Sequence, residues 1–126
     1  LLLHLVATCT VFYGKMPLIH IELDPRKSED ERIEQYESID TWMTALLALA
    51  IILMAVEFAG VLSGYTLHQK NGNALSGLAH LVGFLSTMSM VLNGWTVRVY
   101  PSMFTFCSLL PAGFDASWWT LQTSAR

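Results

Sequence analysis

Three ionisable side chains in this sequence stand where charge is costly. Glu57, His80 and Asp115 each lie inside a stretch that is otherwise apolar. Glu57 is the one ionisable group in residues 41–66, and 74–92 contain no Asp, Glu, Lys or Arg. Residues 102–121 hold Asp115. The 41–66 stretch makes about 39 Å of helix at about 1.5 Å per residue, enough to cross a hydrocarbon core of about 30 Å with some tilt. Laid antiparallel and measured from the side of the 67–73 connection, the three groups fall at depths of about 13, 9 and 10 Å. They can therefore meet in one buried, hydrogen-bonded layer. Intramembrane acids and histidines serve either as proton relays or as the polar glue of a bundle. A relay needs groups across the whole membrane thickness, and the half nearest the acidic loop offers only His4, near mid-depth. Glue is the expectation.

The residues around these three support a packing role. Glu57, Gly60 and Gly64 follow one another at i, i+3 and i+7, on one helix face. Gly60 and Gly64 make a G-x-x-x-G pair, which lets a neighbouring backbone come close. Ser76, His80, Gly83 and Thr87 share a face of the next stretch, small and hydrogen-bonding as a helix seam should be. In the last stretch Ser108, Pro111, Asp115 and Trp119 share a face, and Pro111 predicts a kink. Trp118 and Trp119 approach the far membrane interface.

The elements that position these groups read as a single all-α membrane domain, a four-transmembrane-helix bundle. Its spans are 1–13, 41–66, 74–92 and 102–121, with one polar loop, 14–40, between the first and second. Residues 1–13 give only about 20 Å of helix and read as the second half of a span that starts upstream. His4 lies there, one turn from Thr8, and is expected to hydrogen-bond a neighbour. In the loop, Ile19, Ile21 and Leu23 alternate with His20, Glu22 and Asp24, the period of a short half-buried strand. Ser28 and Glu31 form an S-x-x-E capping box that opens a helix. Ile33, Tyr36 and Met43 continue at helical spacing, so that helix runs into the second span or lies on the membrane surface. Asn71-Gly72 signals the chain reversal between spans two and three. Trp95, Arg98 and Tyr100 give the stretch before the last span an interfacial character.

Composition narrows the function. Hydrophobic residues make up 53% and charged ones 13%, against roughly 25% charged in an average soluble domain. Eight of the ten acids lie between Glu22 and Asp40, where a solvated face is the expectation. With a net charge of -3 and no basic stripe, nucleic acid is set aside as a partner. Cys9 and Cys107 sit in apolar segments without C-x-x-C spacing, which points to neither metal nor redox work. No catalytic constellation, phosphate loop, cofactor motif or metal-ligand spacing is present, so no enzyme is expected. The bilayer and other membrane proteins are the expected partners.

The run AVEFAGVLSG at 55–64 resembles a signature of the transmembrane protein 107 family, with Phe58 where the family carries Leu. FTFCSLLPA at 104–112 is similar to its last-span motif and LLLHLV at 1–6 to its first span. Ala79-His80, Trp95 and Pro17-Leu18 extend the likeness over nearly the whole chain. Asp115 stands where the family has Glu, and a basic tail is reduced to Arg126. The resemblance implies a four-span component of the ciliary transition zone. There it would help assemble the Meckel module with tectonics and other membrane proteins, and support ciliogenesis and the gate for ciliary membrane proteins. It also implies a non-enzymatic scaffold in which Glu57, Gly60, Ser63, Gly64, His80 and Pro111 are packing elements. Orientation is read two ways. The count of Lys15, Arg26, Lys27, Arg32 and Arg98 against Lys70 and Arg126 puts the acidic loop in the cytoplasm, whereas the resemblance implies cytoplasmic termini, the reading adopted here. An accessory subunit of another large membrane assembly, such as a mitochondrial bioenergetic complex, is the alternative, and a proton or ion pathway the third.

Overall fold

Ser28 sets the start of the longest element. In the computed structural model, which describes residues 1–64 and 70–124 but not the side chains at 70, 71, 115, 118, 119 and 121–124, Ser28 is the N-cap of a 34-residue helix, α3 (Glu29–Leu62). Its hydroxyl accepts from the Glu31 amide at 3.4 Å, and its own amide donates to the Glu31 carboxylate at 3.0 Å. Glu29, Asp30 and Glu31 occupy the first turn, where acids complement the helix dipole. No Pro or Gly interrupts the next twenty-eight residues, so the capped helix runs directly into the apolar span. Of the two continuations allowed by the spacing of Ile33, Tyr36 and Met43, this is the one that forms.

Before it come α1 (Leu2–Gly14) and α2 (Met16–Glu22), bent by 67° at Lys15. The alternation at 18–24 predicts a strand, and that expectation is corrected: residues 16–22 are helical. A lone strand would leave its backbone N–H and C=O groups unpaired beside a membrane, whereas a helix satisfies them internally. Pro17 falls in the first turn, where its missing N–H does no harm. Leu18 and Ile19 turn inward and Ile21 outward.

After α3 come α4 (Lys70–Asn93), a 3₁₀ turn (Val97–Val99) and α5 (Tyr100–Phe104). A π turn (Thr105–Leu109) then leads into α6 (Leu110–Ser124). Asn71-Gly72 is not a chain reversal: both residues lie in the first turn of α4, which starts earlier than 74. Gly94, at φ 60°, takes the left-handed position that ends α4, and the Trp95 amide closes the cap on the Met90 carbonyl at 3.2 Å. Where Pro111 predicts a kink, a π turn immediately precedes it. Proline has no N–H to give the carbonyl four residues back, and the wider turn makes room for its ring.

The three long rods are inside out compared with a water-soluble bundle. On α4 the outward residues Leu75, Leu78, Leu81, Val82 and Leu85 are exposed, while His80 and Thr87 are buried. α3 likewise exposes Leu49, Ile52, Val56 and Leu62. Among the described residues two helices, α3 and the 22 residues Gly72–Asn93, are long and apolar enough to cross a membrane, and the bent α1–α2 pair makes a third if it is one span. α1 packs on both α3 and α4, and the π turn packs on both as well. The core clusters Val11, Met43, Leu47, Met54, Met90 and Phe104.

The cap makes a pH prediction. Hydrogen bonds from the Ser28 amide, and then from its hydroxyl, hold the Glu31 carboxyl below the ordinary carboxylate range. A depressed carboxyl stabilises the fold above its unfolded pKa, about 4.3, and that contribution is lost as pH falls through the lower folded value. Hydrogen-exchange protection factors in the first turn of α3 should therefore hold steady from neutral pH to about 5 and drop below about 4. Ser28→Ala should lower protection at neutral pH and flatten the drop.

Candidate functional site

Glu57 is buried because of its phase on α3. Ile39, Met43, Leu47, Ala50 and Met54 form one buried stripe at steps of three and four residues, and the next step lands on Glu57. α4 turns His80, Gly83, Thr87 and Met90 inward at the same steps. α1 contributes His4, Ala7, Thr8 and Val11. Each stripe carries one titratable group into the space between the helices.

These groups form a chain. His80 Nε2 lies 2.5 Å from Glu57 Oε2, and His80 Nδ1 lies 3.2 Å from Nδ1 of His4. Exposures are 6% for Glu57, 3% for His80 and 5% for His4, so water does not compete. An N–H of His80 donates to the carboxylate, and of the two facing Nδ1 atoms one donates and the other accepts. Thr8 donates its hydroxyl to the His4 carbonyl at 2.9 Å. Glu57 Oε1 is buried without a hydrogen-bond partner among the described residues. α1, α3 and α4 are thus joined by side chains that hydrocarbon alone would leave unsatisfied.

Gly83 is what brings α4 this close. A Cβ there would stand 2.7 Å from His4 Nε2 and 2.8 Å from Cys107 Cβ, inside van der Waals contact with both α1 and the π turn. Ser108 and Pro111 are buried on the same side of the last helical run, and Thr87 is buried on the α4 seam.

The structure brings together Glu57 and His80, as their depths predict, and adds His4, which the sequence places only near mid-depth. The signal for His4 is its position on a face with Ala7 and Thr8, opposite the small residue Gly83. Asp115, the third member expected in the layer, lies outside the described side chains, as does Trp119. Gly60 is half-buried and Ser63 exposed, its hydroxyl bonded to the Gly60 carbonyl at 2.9 Å. Gly64 does not share a helical face with Gly60. α3 ends at Leu62, and Gly64 follows it at φ 75°, its amide 3.1 Å from the Val61 carbonyl. It is a helix terminator, which the spacing of a G-x-x-x-G pair cannot reveal.

A second polar set lies at the loop end. Lys15 pairs with Asp40 at 2.8 Å and also bonds Thr44, tying the α1–α2 bend to α3. Arg98 pairs with Glu22, tying the 3₁₀ turn to α2. The acidic loop is therefore only partly a solvated face. Among the described residues no group of three or more His, Cys, Asp or Glu could hold a metal.

Apolar helix exteriors, a polar and small-residue seam, and ion pairs near one end define a helical integral membrane protein. The family model described as "TMEM107: Transmembrane protein" matches residues 1–118, and the chain belongs to that family. Curated relatives named Transmembrane protein 107 include one from Mus musculus, 35% identical over 112 residues, 89% of this chain and 77% of the relative. One from Xenopus laevis is 32% identical over 113 residues, covering 86% and 75%. One from Homo sapiens is 31% identical over 112 residues, covering 89% and 77%. No solved structure matches.

Two pairs of substitutions test the seam. Gly83→Ala should cost about 1–3 kcal/mol of bundle stability through overpacking, whereas Gly77→Ala, with open space around it, should be close to neutral. Glu57→Ala should cost about 1–3 kcal/mol by stranding His80, and Glu57→Gln, which can still accept from it, should cost less. Unfolding of the purified protein in a lipid bilayer reads both.

Proposed function

We propose that this chain is a non-enzymatic scaffold of the ciliary transition-zone membrane. In this reading it is one four-span domain: α1, the apolar part of α3, α4, and the run from α5 to α6. It assembles with tectonics and other Meckel-module membrane proteins through its apolar outer faces, and so supports ciliogenesis and the gating of ciliary membrane proteins. Family membership gives the context. The single observation that carries a scaffold mechanism is the use of the buried polar groups on one another. Glu57, His80 and His4 link helix to helix, and what faces outward along the spans is apolar and available for lateral contact. Glu57, Gly60, His80, Gly83, Ser108, Pro111 and Asp115 then act by holding the helices in place, and Ser63 and Gly64 by ending α3, rather than by binding a substrate.

Localisation of the tagged full chain in ciliated cells tests this reading. Concentration at the ciliary base is expected, with co-purification of transition-zone membrane proteins that Gly83→Ala weakens. Residence in mitochondria would assign the chain instead to another membrane assembly. An ion flux through the reconstituted protein that Glu57→Gln abolishes while leaving assembly intact would overturn the scaffold mechanism.

A further inference from the structure

A cleft of about 520 Å³ opens at the loop end, lined by the end of α2, the first turns of α3 and the 3₁₀ turn. Its floor is apolar: Ile39 and Val97 are buried and Trp42 is half-buried. Glu22 points into this space with its side chain only 8% exposed. Oε1 of Glu22 takes the Arg98 guanidinium, while Oε2 is buried without a hydrogen-bond partner among the described residues. Beside it, the Gln35 amide donates through Nε2 to the Glu22 carbonyl at 3.2 Å. That bond fixes the amide so that Oε1 of Gln35, also buried, is left without a donor among the described residues.

Two buried acceptors, one a carboxylate, select a ligand that brings N–H donors and positive charge. Glu31 and Glu34 on the same wall add to the preference for a cation. Yet the rim carries Lys27 and Arg98, and the Arg98 side chain is 76% exposed, so its remaining N–H groups face outward. A purely basic peptide meets two cations there without compensation, and a purely anionic headgroup meets three carboxylates. A zwitterion with its ammonium inward and its phosphate at the rim matches both sets. A quaternary choline does not, because it has no N–H to give. Trp42 stands at the beginning of the apolar stretch of α3, which sets the cleft at headgroup depth, where a bilayer supplies such a zwitterion. We propose that this cleft binds the phosphoethanolamine headgroup of a bilayer lipid, the ammonium on Glu22 Oε2 and Gln35 Oε1 and the phosphate against Arg98 and Lys27.

Native mass spectrometry of the full chain, released from detergent micelles doped with phosphatidylethanolamine, phosphatidylcholine or phosphatidylglycerol, tests this. One retained phosphatidylethanolamine is expected, favoured by about tenfold over the other two lipids. Glu22→Gln and Gln35→Met should each reduce that preference to the phosphatidylcholine level at unchanged helix content by circular dichroism. Lys27→Glu, a change at an exposed rim position, keeps the test decisive if either buried variant misfolds, and should lower retention several-fold. Equal retention of phosphatidylethanolamine and phosphatidylcholine would overturn the proposal, as would a preference that survives all three substitutions. Displacement of the lipid by an oligo-arginine peptide, or by soluble glycerophosphoethanolamine at equal concentration, would also overturn it, pointing to a protein partner or a free solute.

Discussion

Hydrocarbon offers no hydrogen bonds, and the inner layout of this molecule follows from that constraint. A carboxylate on a membrane helix must find its partners within the protein, and Glu57 finds His80, which in turn finds His4. Because these residues belong to three different helices, satisfying one side chain fixes the rotation of all three rods. Apolar packing could not do this alone. The outward faces of α3 and α4 are at least as greasy as their inward ones, so transfer from lipid to protein interior gives no preference for burying the inward face.

Close approach is the second requirement, and small residues meet it. Without a side chain at Gly83, α4 settles against His4 and Cys107 closely enough for His80 to reach both neighbours. The π turn before Pro111 keeps the last helical run continuous while placing Ser108 in the interior. At the other end of the molecule the work passes to ion pairs, Lys15 with Asp40 and Arg98 with Glu22. One partner of each pair is well exposed, Asp40 at 35% and Arg98 at 76% of the side chain, so each is worth less than a fully buried contact.

Much of this is legible in the sequence. Helix rise alone puts Glu57 and His80 at similar depths, and the capping box announces α3 through Ser28 and Glu31. His4 escaped for a geometric reason: counting residues gives depth along a helix but does not say which helix stands beside which, and α1 packs on both α3 and α4. Gly64 misled because spacing identifies a common face only while the helix continues, and here it stops at Leu62. The alternation of Ile19, Ile21 and Leu23 matched a strand, yet the need to pair backbone groups beside a membrane decided for a helix. Glu22 and Asp40 looked like members of a solvated acid run, since their basic partners come from distant parts of the chain.

The central claim is that Glu57 and His80 stabilise the bundle jointly rather than separately. A double-mutant cycle between Glu57→Ala and His80→Ala, with unfolding measured in a lipid bilayer, tests it most directly. The account predicts a coupling of about 1 kcal/mol or more, with the double variant less damaged than the two single losses added together. Losses that add to within about 0.3 kcal/mol would show that the two side chains are neighbours without being partners, and would contradict it.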